Sequence, residues 1–443
     1  MSSEKQELTV VNDDPEKTVK TCPVAELPVL PQALNDAEED YPEGGRGWLV
    51  VAGCFLQASV TLGQPRPCNP LAWGVFQAYY KNHQFPEASE TVLSMLGASN
   101  GAVMPITSFI FGKLEDRYGY RPFVILGSVI SFIQWFSSAW CTQLWQFFLT
   151  QGLLQGLANG ILFPTVAAYP SQWFYHRRSF ATGIAIAGSS FGGGTTAILL
   201  RIMLSRLGLR KTFLVYSFIN CTVLFFAYFL LKDRPRRHSK PVTDIHWIDT
   251  SLFGSPVFWS MVFCLGVTVF GYQTPYFFVS VFTSEKNPEL SSFVSTVPIL
   301  MMNYSAALGR TLVGFVADKM GPCNTFALSI LISGLTQVLI WNFASSLASI
   351  MVFAVTYGFW GGVVVSLLPP AGAALFGAEQ LASLSGLLTL SNLPGYTAGP
   401  TLGGVVLAGS GHNWHAVALY SGGMQLLGVV LFLYGMTLDL YVT

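Results

Sequence analysis

The sequence predicts an all-α polytopic membrane protein with twelve transmembrane helices arranged as two pseudo-symmetric six-helix bundles. Three observations carry that reading. Only 10% of the 443 residues are charged and 51% are apolar, whereas a soluble domain carries about 25% charge. The uncharged intervals have the lengths of membrane-spanning helices. One charged loop motif is written twice, once in each half of the chain.

A spanning helix needs about 20 apolar residues. Uncharged intervals of 19 residues (Arg46 to Arg66), 22 (Glu90 to Lys113), 55 (Arg121 to Arg177), 22 (Arg178 to Arg201) and 20 (Lys211 to Lys232) fit one, one, two, one and one helices. In the second half, intervals of 35 (Asp249 to Glu285), 20 (Glu289 to Arg310), 59 (Lys319 to Glu379) and 59 (Glu379 to Asp439) fit one, one, two and two.

These counts divide the chain. Residues 1–42 hold ten of the 23 carboxylates, with scattered prolines and few aromatics; such a segment cannot bury a core and reads as a disordered acidic cytoplasmic tail. Residues 43–231 form the first bundle and 251–443 the second. Between them, residues 232–250 are a basic cytoplasmic linker carrying Lys232, Arg234, Arg236, Arg237 and Lys240. An even span count puts both termini on one side, and the Lys/Arg bias of the loops makes that side the cytoplasm. Arg206, Arg210 and Lys211, between the fifth and sixth spans, run against the bias. The first span is irregular. Trp48–Leu62 is followed by Gln64-Pro65-Arg66-Pro67-Cys68-Asn69-Pro70, which cannot continue a regular helix. It is either a broken helix lining a cavity with Arg66 inside, or an outer loop with a solvated arginine.

Composition excludes several functions. Zero net charge leaves no nucleic-acid footprint. The seven cysteines are scattered without a CxxC pair, so neither a disulfide framework nor a metal site is expected, and no cofactor is implied. No HExxH, no nucleophile elbow with partners and no in-membrane carboxylate pair occurs, so the chain is not expected to be an enzyme. No cleavable signal peptide precedes the first span. The N-x-S/T matches at Asn220 and Asn303 lie inside apolar runs and are discounted as glycosylation sites.

The stretch Asn303–Gly321 carries the chemistry. Arg310 precedes Asp318 by eight residues, which at ~1.5 Å per residue puts it roughly 12 Å inside a helix. An arginine at that depth costs at least ~2.5 kcal/mol facing lipid. It therefore lines a water-filled cavity and binds an anion, or it is a structural arginine satisfied by carbonyls of a neighbouring helix. The stretch ends in Gly314-x-Val316-x-Asp318-Lys319-x-Gly321. The same pattern, Gly112-x-Leu114-x-Asp116-Arg117-x-Gly119-x-Arg121, stands between spans two and three, with the aspartates 202 positions apart. Duplicated halves are how many transporters are built. The glycines permit a tight turn and close helix approach. Asp116 and Asp318 can accept hydrogen bonds from a helix N-terminus, and the basic residues can pair across the gate. Such a latch holds one conformation and releases for the other. Asn159, Asn303 and Tyr276, with Gln57, Gln155, Gln273, Tyr304, Tyr357 and Asn392, are further candidates to line a cavity, although each alone is more often an interhelical hydrogen bond. Asn392-Leu393-Pro394-Gly395-Tyr396 reads as a hinge in span eleven. By count, no Asp, Glu or His lies deep in any predicted span.

The duplicated motif resembles the loop signature of the major facilitator superfamily. Glu43-Gly44-Gly45-Arg46-Gly47-Trp48, entering span one, resembles one of the two signatures of the monocarboxylate transporter family, especially of its fungal members, but departs from it at Arg46, where an aromatic residue is usual. Trp173-Phe174-Tyr175-His176-Arg177-Arg178-Ser179-Phe180-Ala181-Thr182-Gly183-Ile184-Ala185-Ile186-Ala187-Gly188, entering span five, resembles the other. The resemblance implies packing and gating roles for both motifs, and implies that Arg310 pairs with a substrate carboxylate. It also implies two changes. Ala306 stands where the family often has an aspartate, one turn before the arginine. Arg66 falls where a proton-binding lysine is common, and an arginine does not deprotonate. Anion binding is retained and the family's proton coupling is in doubt.

The expected function is secondary active transport of a small organic anion or an acidic, amphipathic metabolite across a membrane, with export of a fungal secondary metabolite. Proton-linked monocarboxylate uptake is the alternative, and a transporter-like nutrient sensor the distant one. The expected partners are a small-molecule substrate and the lipid bilayer. The expected location is the plasma membrane, with the vacuolar membrane as the alternative.

Overall fold

Glycine and proline punctuate a chain that is otherwise apolar and helical. A computed structural model describes residues 41–64, 76, 77, 79–233, 250–291, 293–377 and 381–442. The acidic tail, Arg66 with its proline-rich surroundings, and most of the basic linker lie outside the described residues. From Tyr41 onward the chain is one compact unit, and its described regular elements are all helical.

The N-terminal half contributes α1 (Arg46–Val60), α2 (Glu90–Tyr118), α3 (Arg121–Ser138), the short α4 (Leu144–Phe147), α5 (Gln155–Trp173) and α6 (Arg178–Leu230). A π-helical stretch, Phe148–Leu154, joins α4 to α5. The C-terminal half contributes α7 (Pro256–Lys286), α8 (Val297–Met320), α9 (Pro322–Leu339), α10 (Leu347–Gly361), α11 (Val363–Phe376), α12 (Leu381–Leu390), α13 (Leu393–Gly409) and α14 (Trp414–Val442). Pro122, Pro256, Pro298, Pro322 and Pro394 sit in the first helical positions, where the missing N–H is no loss. The turns after the duplicated motif are set by Gly119 and Gly321, with φ of +86° and +89°, a conformation that side chains resist. The helix breaks where the hinge is predicted: α12 ends at Leu390 and α13 begins two residues before Gly395.

Among the described residues, six helices are long and apolar enough to cross a membrane. One of them, α6, counts double. Its 53 residues are interrupted at Gly208 (φ 72°, ψ 173°). Thr196 and Tyr216 lie 20 residues apart, which on a straight helix is about 30 Å, yet their hydroxyls approach to 3.4 Å. The helix therefore folds back on itself, and both limbs pack on α1 through Gly188 against Phe55 and Leu230 against Gly53. Beside that turn Arg210 lies over the Trp140 ring at 5.3 Å, which accounts for one of the basic residues that run against the charge bias.

Packing is uneven along the molecule. One buried apolar cluster draws on both halves: Val50, Val166 and Phe174 from the first, Ala317, Leu367 and Leu384 from the second. Two further clusters stay almost entirely within one half each, around Trp135 and Phe213 in the first and Trp341 and Phe353 in the second. The halves thus share a core at one end and hold separate cores at the other. Phe225, Phe226, Phe229, Leu312 and Val430 point outward, as lipid-facing side chains do.

Candidate substrate cavity and gate

Each copy of the duplicated motif caps a helix of the opposite half. Asp116, near the end of α2, accepts hydrogen bonds from the Ala382 N–H (3.4 Å), the Ser383 N–H (2.7 Å) and the Ser383 hydroxyl (2.7 Å), at the start of α12. Tyr120 donates a fourth at 2.8 Å. Asp318, near the end of α8, accepts from the Ser179 N–H (2.8 Å) and the Phe180 N–H (3.0 Å), at the start of α6. These are the orphan donors of helix N-termini, where the macrodipole also favours a negative charge. Gly112 and Gly314 sit one turn before each aspartate and make the contact possible. A Cβ on Gly112 would lie 2.5 Å from the Ala382 carbonyl oxygen, and one on Gly314 2.7 Å from that of Ser179.

The basic members of the motif behave differently from the expectation. Arg117 lies over the Tyr118 ring, Arg121 over Tyr228 and Lys319 over Phe315, at 5.1, 5.0 and 4.6 Å. Among the described residues they make no ion pair across the gate. Arg117 and Lys319 are exposed, so stacking on a local ring retains their hydration while an ion pair would give little.

The two longer motifs meet beside the second cap. The Glu43 carboxylate accepts from the Tyr175 N–H and, at 2.7 Å, from the His176 N–H. Trp48 packs on Phe174 and Phe180 with ring centroids 4.7 and 5.8 Å away. Together they fix the chain entering α6, the N-terminus that Asp318 caps. Beyond the cap, the small residues of α6 admit the other half: a Cβ on Gly183 would overlap the Arg310 carbonyl oxygen.

Between the halves, past this contact, lies a cavity of about 100 Å³. Its wall takes Leu62, Met104, Phe163 and Ser189 from the first half, and Thr268, Tyr272, Tyr276, Asn303, Asn392 and Tyr396 from the second. Among the described residues Arg310 is the one charged member of the lining. Drug-sized ligands occupy roughly 300 Å³ or more, so the halves must separate further to admit one.

Arg310 is buried at 5% exposure and is held by both halves. Its Nε donates to the Gly362 carbonyl at 2.8 Å. Its Nη1 donates to the Ile186 carbonyl at 2.9 Å and to the Ser189 hydroxyl. The two readings of this arginine therefore combine: it lines the cavity, and two neighbouring carbonyls and one hydroxyl satisfy three of its five donors. Among the described residues the N–H groups on Nη2 have no hydrogen-bond partner and are the ones left for a ligand. Packing excludes an acidic side chain at Ala306. Ala306 is fully buried, and a Cβ on Gly362 would lie 2.5 Å from its own Cβ. The seam has no room for a carboxylate, and the close approach delivers the Gly362 carbonyl to Arg310 instead.

Of the predicted binding residues, Arg310, Asn303 and Tyr276 come together in the cavity. Asn159 does not line it; it is buried within α5 with its Nδ2 unpartnered. Arg66 lies outside the described residues. Asn303 donates to Ile299, and Asn220 to Val60, and both are buried. Sequence reading missed Thr268, Tyr272 and Ser189. Tyr272 precedes Tyr276 by one turn, and that i, i+4 spacing is the signal for one tyrosine face. It also missed Glu115. The interval rule ends span two at Lys113, but α2 continues to Tyr118 and takes Glu115 to complete burial.

The model of the Major Facilitator Superfamily matches residues 68–306 and 286–439. The chain belongs to that superfamily of transporters. It is 30% identical over 391 residues to the agnestins efflux protein AgnL12 of Paecilomyces divaricatus, covering 88% of this chain and 87% of that protein. It is 29% identical over 402 residues to the aspyridones efflux protein apdF of Emericella nidulans, covering 89% and 78%. It is similar in fold to the crystal structure of the human organic anion transporter MFSD10 (TETRAN), with a TM-score of 0.67 and 16% identity over 88% of this chain and 100% of that one. Membership makes the protein a membrane transporter and not an enzyme.

Proposed function

We propose that the protein is a twelve-span secondary transporter of two six-helix bundles that exports an acidic, aromatic-bearing secondary metabolite. The spans are α1, α2, α3, the α4–α5 pair, the two limbs of α6, α7, α8, α9, the α10–α11 pair, the α12–α13 pair and α14. The signatures that meet at Glu43 and Trp48 support a place near the fungal monocarboxylate transporter-like branch. Both termini are cytoplasmic, in the plasma membrane, and the caps at Asp116 and Asp318 form a cytoplasmic latch that is closed in this state. Rocking of the halves opens the latch and exposes the cavity to the cytoplasm.

The observation that carries this reading is Arg310: one buried guanidinium, with two free donors, in a cavity otherwise lined by tyrosines, small polar groups and apolar side chains. An anion satisfies the arginine and rings fill the rest. The efflux relatives support the direction of transport. The test is accumulation of a labelled acidic aromatic metabolite in inside-out plasma-membrane vesicles from cells expressing the full chain. Expression is expected to raise accumulation severalfold over vesicles without it. Equal accumulation in the two preparations, with the protein present in the membrane, contradicts export.

A further inference from the structure

We propose that Glu115 is a proton-binding site, so that closing the cytoplasmic latch takes up one proton from the cytoplasm. The inference rests on the latch reading of Asp116 and Asp318. Glu115 and Asp116 are adjacent carboxyl groups with opposite surroundings. Asp116 turns to α12 and receives the four hydrogen bonds described above. Glu115 has no exposure, and neither of its carboxyl oxygens has a hydrogen-bond partner. It faces α5, where the Thr165 hydroxyl is the one donor near it; that hydroxyl weakly favours the anion but does not reach hydrogen-bond geometry with either carboxyl oxygen.

The charged groups around it do not rescue an anion. Lys113 and Arg117 stand two positions away on the same helix and so leave from other faces. Asp116, next in sequence, repels a second negative charge. The helices packed against α2 here are α5, α12 and α13. They contain no Lys, Arg, His, Asp or Glu. Their titratable side chains are Tyr169, which donates to Asp233, and Tyr396. A carboxylate enclosed with one poorly placed hydroxyl and no counter-charge takes a proton rather than remain ionised. Glu115 is therefore the neutral acid in this closed state.

The site couples to the gate through α12. That helix is capped by Asp116 and packs on both α2 and α5. Opening the latch withdraws α12 and lets water reach the α2–α5 seam, where Glu115 ionises by releasing its proton to the cytoplasm. Closing reverses the step. Acid on the cytoplasmic side thus favours the closed latch, and alkali favours the open one.

Infrared spectroscopy of the full chain in lipid bilayers tests this, because a protonated carboxylic acid has a carbonyl band that a carboxylate lacks. At neutral pH the wild type is expected to show the band, and Glu115→Gln to lose it. In vesicles, wild-type flux is expected to change severalfold with cytoplasmic-side pH, Glu115→Gln flux to be flat, and Glu115→Asp to recover the dependence. A wild-type spectrum without the band overturns the proposal, whatever the fate of the variants. So does a band that persists in Glu115→Gln, or the same pH profile in both. The band without flux of any acid would defeat the transport reading and leave the proton site standing.

Discussion

Replacing Arg310 with glutamine is expected to lower the flux of an acidic substrate by tenfold to a hundredfold, with normal insertion into the membrane. The size follows from losing a hydrogen bond to a charged group, about 1.5–3 kcal/mol. Two effects add in the same direction. The substrate loses its anion contact, and the halves lose the bonds from Arg310 to Ile186 and Ser189. Lysine is expected to recover part of the loss. It keeps the charge and three donors, but cannot span Gly362, the α6 carbonyl and a ligand from one planar group. The fork is already partly used in this state, with Nε and Nη1 engaged by the protein, which leaves one nitrogen and not a bidentate pair for a substrate. Flux within twofold of wild type in Arg310→Gln would make the arginine a brace alone.

Disabling both caps is expected to have the second large effect. Asp116→Asn and Asp318→Asn each keep a capping oxygen but remove a negative charge from a partly buried helix N-terminus, a loss of about 1–2 kcal/mol. The two sites contact different helices, so the losses add. The double variant should shift the balance between closed and open latch by one to two orders of magnitude toward open. The measurement is modification of a cysteine placed on the cytoplasmic end of α12, which becomes accessible as the latch opens. Labelling should rise sharply in the double variant and modestly in each single one, and flux should fall because the closed state is no longer reached. Unchanged labelling in the double variant would show that the shared apolar core around Phe174 and Leu384 holds this end shut without the caps.

How much of this was legible in the sequence depends on charge. Where charges are rare, each one marks a boundary or a function. That is why the intervals anticipate the helices, and why the repeated glycine–aspartate pattern anticipates the caps at Ser179 and Ser383. The turn inside α6 is likewise announced by charge, at Arg206 and Arg210, while the backbone makes it at Gly208. Charge misleads at helix ends. Lys113 closes an interval although α2 runs five residues further, so Glu115 reads as a loop residue and is a buried one. Orientation is the second gap. Helices that are apolar on every side give no stripe to show which face points inward, so Asn159 and Asn303 look alike in sequence while only Asn303 reaches the cavity. The partners of Arg310 were also out of reach. Two of them are the backbone carbonyls of Ile186 and Gly362, and carbonyl positions follow from the Gly183–Arg310 and Ala306–Gly362 contacts and not from any residue type.

We propose that Arg310 selects an anion for transport. The most direct measurement compares flux of an acidic aromatic metabolite with that of its neutral amide, the same skeleton without the charge, in vesicles carrying the wild-type chain. The acid is expected to move at least tenfold faster, the factor that one charge-assisted hydrogen bond supplies, and Arg310→Gln should erase the difference. Equal flux of acid and amide through the wild type would contradict the claim.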